Sequence, residues 1–258
     1  MSLSSVQEAS SETLPRRERW IAEAGLLLLA ALGWIYIIGL NAGVWPSLMA
    51  MPMRHGWTAG DILLTYLMWL VMMIAMMMPA VIPTILLIAT VERRRGRSRP
   101  NRQAGLALLG YLSVWAGACI LATLVQYGLH EAGIIYGAMS PVGAQLAGVT
   151  LILVGLFELT PAKAACLRLC RSPVETIARY WRPAPGGSLR VGLRHGLYCL
   201  GCCWALMLML FVTGVMNLLW IALLSALVLA EKLLPQGRLL SRLAGGAILA
   251  WGAFLLLR

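Results

Sequence analysis

Apolar residues run along this chain in seven long stretches, at about 22–40, 61–90, 104–129, 142–159, 196–214, 217–233 and 240–257, separated by short polar segments. A helix that crosses a bilayer needs about 20 mostly apolar residues, so each stretch predicts one membrane helix. The pattern therefore predicts an all-α, polytopic transmembrane helix bundle of about seven spans. Residues 1–20 read as a cytoplasmic N-terminal tail and 21–258 as a single transmembrane helical domain, because no gap between stretches could hold a soluble domain. The tightest connection falls near Thr213 and Gly214, where two stretches meet almost without a loop. A long helix with a re-entrant piece is the alternative there. The first stretch follows Arg16, Arg17 and Arg19, is long for a signal sequence and has no convincing cleavage site, so it reads as an uncleaved signal anchor.

Composition closes off other classes. Of 258 residues, 60% are hydrophobic and 12% charged, and the mean hydropathy is +0.80, whereas a soluble domain carries roughly 25% charged residues. A soluble globule and a disordered chain are both excluded. The net charge of +11 would elsewhere raise the question of nucleic acid. Here the positive charge sits in short connections, so the lipid bilayer, and not nucleic acid, is the expected partner. Basic residues concentrate on the cytoplasmic side of bacterial membranes. With the N-terminus inside, all 21 basic residues except Arg54 and Arg258 fall on that side. This predicts a multi-pass protein of the bacterial inner membrane, N-terminus cytoplasmic and C-terminus periplasmic.

The cytoplasmic connection at 160–195 carries its own helix punctuation. Thr160 can cap a helix with Pro161 at its first position, Ser172-Pro173 stops it and starts another, and Ser172 and Glu175 have capping-box spacing. In the first of these helices Ala165, Cys166, Leu169 and Cys170 can share a face, with Lys163, Arg168 and Arg171 largely on the other. Such pieces suit an anionic membrane surface.

Five of six cysteines lie on the cytoplasmic side in this topology: Cys166, Cys170, Cys199, Cys202 and Cys203. Cys119 is mid-span and reads as a small buried hydrophobe. Cys166 and Cys170 are one helical turn apart, as is Cys199 from Cys202 and Cys203, so two helices can each offer a thiol pair. In a reducing compartment such spacing points to metal binding or catalysis and away from disulfides. The second set falls near the expected start of the fifth span, where the helix dipole favours thiolate. Both sets are expected to meet at the inner face although 28 positions separate Cys170 from Cys199. Cys203 is the member a small site could spare. Glu158, Lys163, His195, Glu231 and Lys232 lie at the same inner ends of the spans, the carboxylates either reaching water, pairing with arginine or joining the site.

Six methionines occur between Met68 and Met78, followed by Pro79 and Pro83. Met72 with Met76 and Met73 with Met77 are i, i+4 pairs, so one broad helical stripe is thioether, and Pro79 is expected to kink the helix among them. Thioethers and thiolates are soft ligands that select Cu(I). Met49, Met51, Met53 and His55 add a soft cluster in the preceding outer loop. Their order along the chain describes an outer collector, a membrane relay and an inner thiolate acceptor; the plainer reading of a methionine stripe is adaptable packing.

Three motifs, MMIAMMMP at 72–79, LTPAKAACLRLCRSP at 159–173 and HGLYCLGCCWALM at 195–207, the last continuing through GVMNLLW to AEKLLPQG at 230–237, resemble a family of bacterial integral membrane proteins identified as predicted metal-binding. The resemblance covers the chain from about residue 60 onward and implies metal binding at a membrane, without a reaction. The combined reading is a copper-binding membrane protein acting in copper uptake, delivery or cuproenzyme assembly. Its metal ligands are Cys166, Cys170, Cys199, Cys202 and Cys203, with Met72, Met73, Met76 and Met77 as a thioether path. A copper-containing membrane enzyme or a metallochaperone is the expected protein partner. Zinc or an iron–sulfur cluster would suit the thiols alone. The rivals are a membrane thiol–disulfide oxidoreductase using Cys199, Cys202 and Cys203, and a structural subunit of a membrane complex. No nucleotide-binding motif is present.

Overall fold

A computed structural model describes residues 16–44, 56–94, 100–135, 142–180 and 186–258. These residues form nine helices: α1 (Arg16–Asn41), α2 (Ala59–Arg94), α3 (Pro100–Glu131), α4 (Ala144–Leu159), α5 (Pro161–Arg171), α6 (Pro173–Tyr180), α7 (Gly187–Thr213), α8 (Leu218–Leu233) and α9 (Gly237–Leu257). The fold is all-α, and every one of the seven apolar stretches is helical. The soft cluster of Met49, Met51, Met53 and His55, residues 1–15 and the 181–185 segment lie outside the described residues.

Among the described residues, four helices are long and apolar enough to cross a membrane: α2, α3, α7 and α9. Helices α4 and α8 have 16 residues each, about 24 Å at 1.5 Å per residue, which falls short of a hydrocarbon core of about 30 Å. The apolar part of α1 is also short, Glu23–Gly39. Helix α4 joins α5 through a 62° bend, and the pair passes as one broken span. A membrane helix exposes apolar side chains to lipid on its outer face, and Leu121 and Leu124 of α3 and Leu243 and Leu256 of α9 are exposed in that way. By contrast, more than half of the apolar window is buried in α2 and in α7, which form the core.

Close helix approach in such a bundle depends on small residues, because lipid tails offer no hydrophobic drive toward association. Gly110 of α3 and Gly192 of α7 meet in this way, and a Cβ at Gly192 would fall onto the backbone of Ala107. Helices α4 and α9 use two glycines each, Gly148 and Gly155 against Gly252 and Gly245. One consequence of the α3–α7 contact is a shared inner face. Ala107, Tyr111, Trp115 and Cys119, each four residues on from the last, are all buried along α3.

Helix α2 continues through Pro79 and Pro83 as a single helix. Helix α7 ends at Thr213, where Gly214 takes φ +92°, a backbone region that only glycine enters cheaply. The short turn to α8 therefore sits where the apolar pattern put it. At the other end the reading needs correcting. Helix α7 starts at Gly187, nine residues before the apolar stretch, because Ser188, Arg190, Arg194 and His195 extend the helix without being apolar.

Candidate metal centre

Helix α5 is set by local chemistry. Thr160 accepts a hydrogen bond from the Lys163 backbone N–H at 3.2 Å, and Pro161 occupies the first turn, where its missing N–H costs nothing. The buried side chains are Lys163, Leu167 and Cys170, with Cys166 half-buried and Ala165 exposed. Lys163 thus shares the inward face with Cys170, contrary to the expected split of cysteines and basic residues. The reason is a pair of carboxylates. Lys163 Nζ donates to Glu158 at the end of α4 and to Glu231 at the end of α8, both at 2.9 Å. Ser241 of α9 donates to Glu158 Oε2 at 2.8 Å. This buried triad and Ser241 together tie four helices to one another and bring the Cys170 face of α5 against α7.

The two cysteine sets meet. The Cys170 side chain lies close to those of Cys199 and Cys202, and Cys203 is close to the same two. Along α7 itself, Cys202 and Cys203 donate to the Cys199 carbonyl at 3.1 and 2.9 Å. Cys166 lies at the rim, its Sγ 3.1 Å from where a Cβ on Gly201 would be. The missing side chain of Gly201 is what admits Cys166 against α7. All six cysteines are free thiols. Cys119 is buried elsewhere, in the wall of an apolar cavity of about 400 Å³ with Trp69, Met73, Trp115 and Phe211.

The thiols do not sit at a helix start. Cys199 is more than three turns from Gly187, and the helix dipole acts only over the first turn. What faces Cys199 instead is a lysine: Lys232 Nζ of α8 donates to its Sγ at 2.9 Å and lies 3.6 Å from Met77 Sδ of α2. Tyr111 of α3 completes this surround, its hydroxyl 3.1 Å from Cys199 Sγ and 3.5 Å from the Met77 carbonyl. One turn before Cys199, His195 is buried with Nε2 3.3 Å from Thr84 Oγ1 and no partner for Nδ1. Met72, Met73, Met76 and Met77 are all buried. Met77 is the member that reaches the centre, whereas Met73 borders the apolar cavity.

Tyr111, Gly201 and Ser241 were not singled out by sequence spacing. The pairing of Tyr111 with Cys199 arises from the glycine contact between α3 and α7, which no local pattern announces. The centre offers thiols, a thioether and one orphaned buried imidazole nitrogen, a donor set suited to a soft ion. Among the described residues, however, no three His, Cys, Asp or Glu side chains converge as a finished coordination sphere. Two of the thiols are turned to a backbone carbonyl of their own helix, and an ammonium occupies the space between Met77 and Cys199.

Membrane-length apolar helices around a buried, sulfur-rich centre define a helical protein equipped for soft-ion chemistry. Residues 66–255 match the PpoB2 family, described as copper chaperone, and the chain belongs to that family. No curated protein and no solved structure matches it.

Proposed function

We propose that this protein is a Cu(I) carrier of the bacterial inner membrane, taking the ion along the thioether stripe of α2 and holding it on the thiols of α5 and α7. The observation that carries the reading is the meeting of Cys170 with Cys199 and Cys202 beside Met77, in a chain of the copper chaperone family. In this reading Cys166, Cys170, Cys199, Cys202 and Cys203 supply the ligands, and Met72, Met73, Met76 and Met77 supply the path. Cu(I) is cargo, delivered to a copper-containing membrane enzyme or to a metallochaperone. The topology that goes with it has seven spans, α1, α2, α3, α4, α7, α8 and α9, with the N-terminus and the α5–α6 connection cytoplasmic. The basic residues of the connections support that orientation, and the 62° bend at Thr160 supports ending the fourth span with α4.

The test is anaerobic purification of the full chain in detergent, followed by Cu(I) titration against a chromophoric chelator and elemental analysis. Cu(I) retained by the wild type and largely lost in Cys170→Ser and Cys199→Ser is the expected result. Turnover of a dithiol substrate without metal retention would transfer the protein to the oxidoreductase class, and neither result would leave the sulfur residues as packing.

A further inference from the structure

The ammonium of Lys232 is held by sulfur. It lies 2.9 Å from Cys199 Sγ and 3.6 Å from Met77 Sδ, so a cation already occupies the point where the thioether stripe of α2 meets the thiols of α7. Tyr111 closes the same point from α3. Lysine is a compact, strongly hydrated charge on a flexible stem, and one this deeply buried is retained only with partners. Most buried lysines find carboxylates, as Lys163 does here with Glu158 and Glu231. Lys232 has soft sulfur instead, in the last turn of α8 next to the exposed Leu233 and Leu234.

We propose that the space between Met77, Cys199 and Tyr111 is the entry seat for Cu(I), and that Lys232 is a tethered cation that fills this seat in the metal-free protein and leaves it when Cu(I) arrives. The proposal rests on the copper reading above. Its physical basis is charge: burying an uncompensated ion is costly, and Cu(I) carries the same single charge as the ammonium it replaces. The exchange therefore leaves the charge of the buried centre unchanged, and no electron is transferred. A divalent ion entering the same way would add one positive charge to the interior. The stem of Lys232 can carry its charged end toward the nearby membrane surface, as lysines at helix ends do.

The chain has two lysines, Lys163 and Lys232, which makes the exchange directly readable. The full protein in detergent, metal-free or loaded with graded Cu(I) under anaerobic conditions, is treated by reductive dimethylation and analysed by peptide mass spectrometry, with bound copper measured on the same samples. Lys232 modification should rise in step with bound copper while Lys163, locked between two carboxylates, stays unmodified. Copper bound with Lys232 still protected would overturn the exchange and leave the copper reading standing. Rising modification of both lysines would report general loosening and also overturn it. Failure to bind copper would remove the copper reading itself, and the exchange with it. In Met77→Leu, which removes one wall of the seat and leaves all five cytoplasmic-motif thiols, copper that binds should no longer displace Lys232 in proportion; unchanged proportionality would place the displacing ion elsewhere and sink the seat.

Discussion

Replacing Lys163 by methionine removes the cation from between Glu158 and Glu231 while keeping the stem volume of the side chain. Removing one partner of a buried ion pair costs about 3–5 kcal/mol. Here one ammonium serves two carboxylates at 2.9 Å, Glu231 Oε1 already lacks a partner, and only Glu158 has a second donor, Ser241. The loss should therefore fall in the upper part of that range. At about 2–4 °C per kcal/mol for a domain of this size, thermal unfolding in detergent should drop by roughly 8–20 °C. Because Lys163 holds α5 against the bundle, Cys166 and Cys170 should react faster with a maleimide well below the unfolding temperature. The triple variant E158Q/K163M/E231Q removes all three charges, and replacing a whole buried ion group is often neutral, so it should regain most of the lost stability. A Lys163→Met protein within about 1 kcal/mol of wild type, or a triple variant no more stable than the single one, would refute the view that the triad locks the helices.

Gly192→Val should destabilise the bundle by about 1–3 kcal/mol or more, since its Cβ lands on Ala107, whereas Gly246→Ala, which meets nothing within 4 Å, should be neutral or stabilising by about 0.5–1 kcal/mol; paired thermal melts check both. Changing Met72, Met73, Met76 and Met77 to leucine should cost no more than ~1.5 kcal/mol per site but impair copper handling in cells. Unchanged copper handling in that variant would return the stripe to packing. Site-directed labelling should find residues 92–102 and 160–195 cytoplasmic and Arg258 periplasmic; labelling of 183–188 from the periplasm would contradict the proposed topology.

Hydrophobic period and helix punctuation made most helices legible, down to the Thr160-Pro161 start of α5 and the break at Gly214. The start of α7 was not legible, because Arg190, Arg194 and His195 look like loop by polarity alone, yet they continue a helix that other elements cover. Spacing along each segment foresaw that the cysteines could pair. The inward turn of Lys163 was not foreseeable in that way, since it depends on carboxylates five and 68 positions away. The same holds for Lys232 and Tyr111: their approach to Cys199 is a product of three helices converging, and periodicity within one helix carries no information about its neighbours.

Thr160 serves two helix ends at once. Its backbone N–H bonds to Phe157 O as the last cap of α4, its hydroxyl donates to the same carbonyl at 2.7 Å, and that hydroxyl also accepts from the Lys163 N–H that opens α5. No slack residue separates the two helices, so the 62° corner behaves mechanically as a welded joint and not as a hinge. Swinging α5 away from α7 would break both caps together. In the proposed carrier, an ion held by Cys170 would then leave by short side-chain rotations from one sulfur to the next, and a recipient protein would have to come to the rim at Cys166.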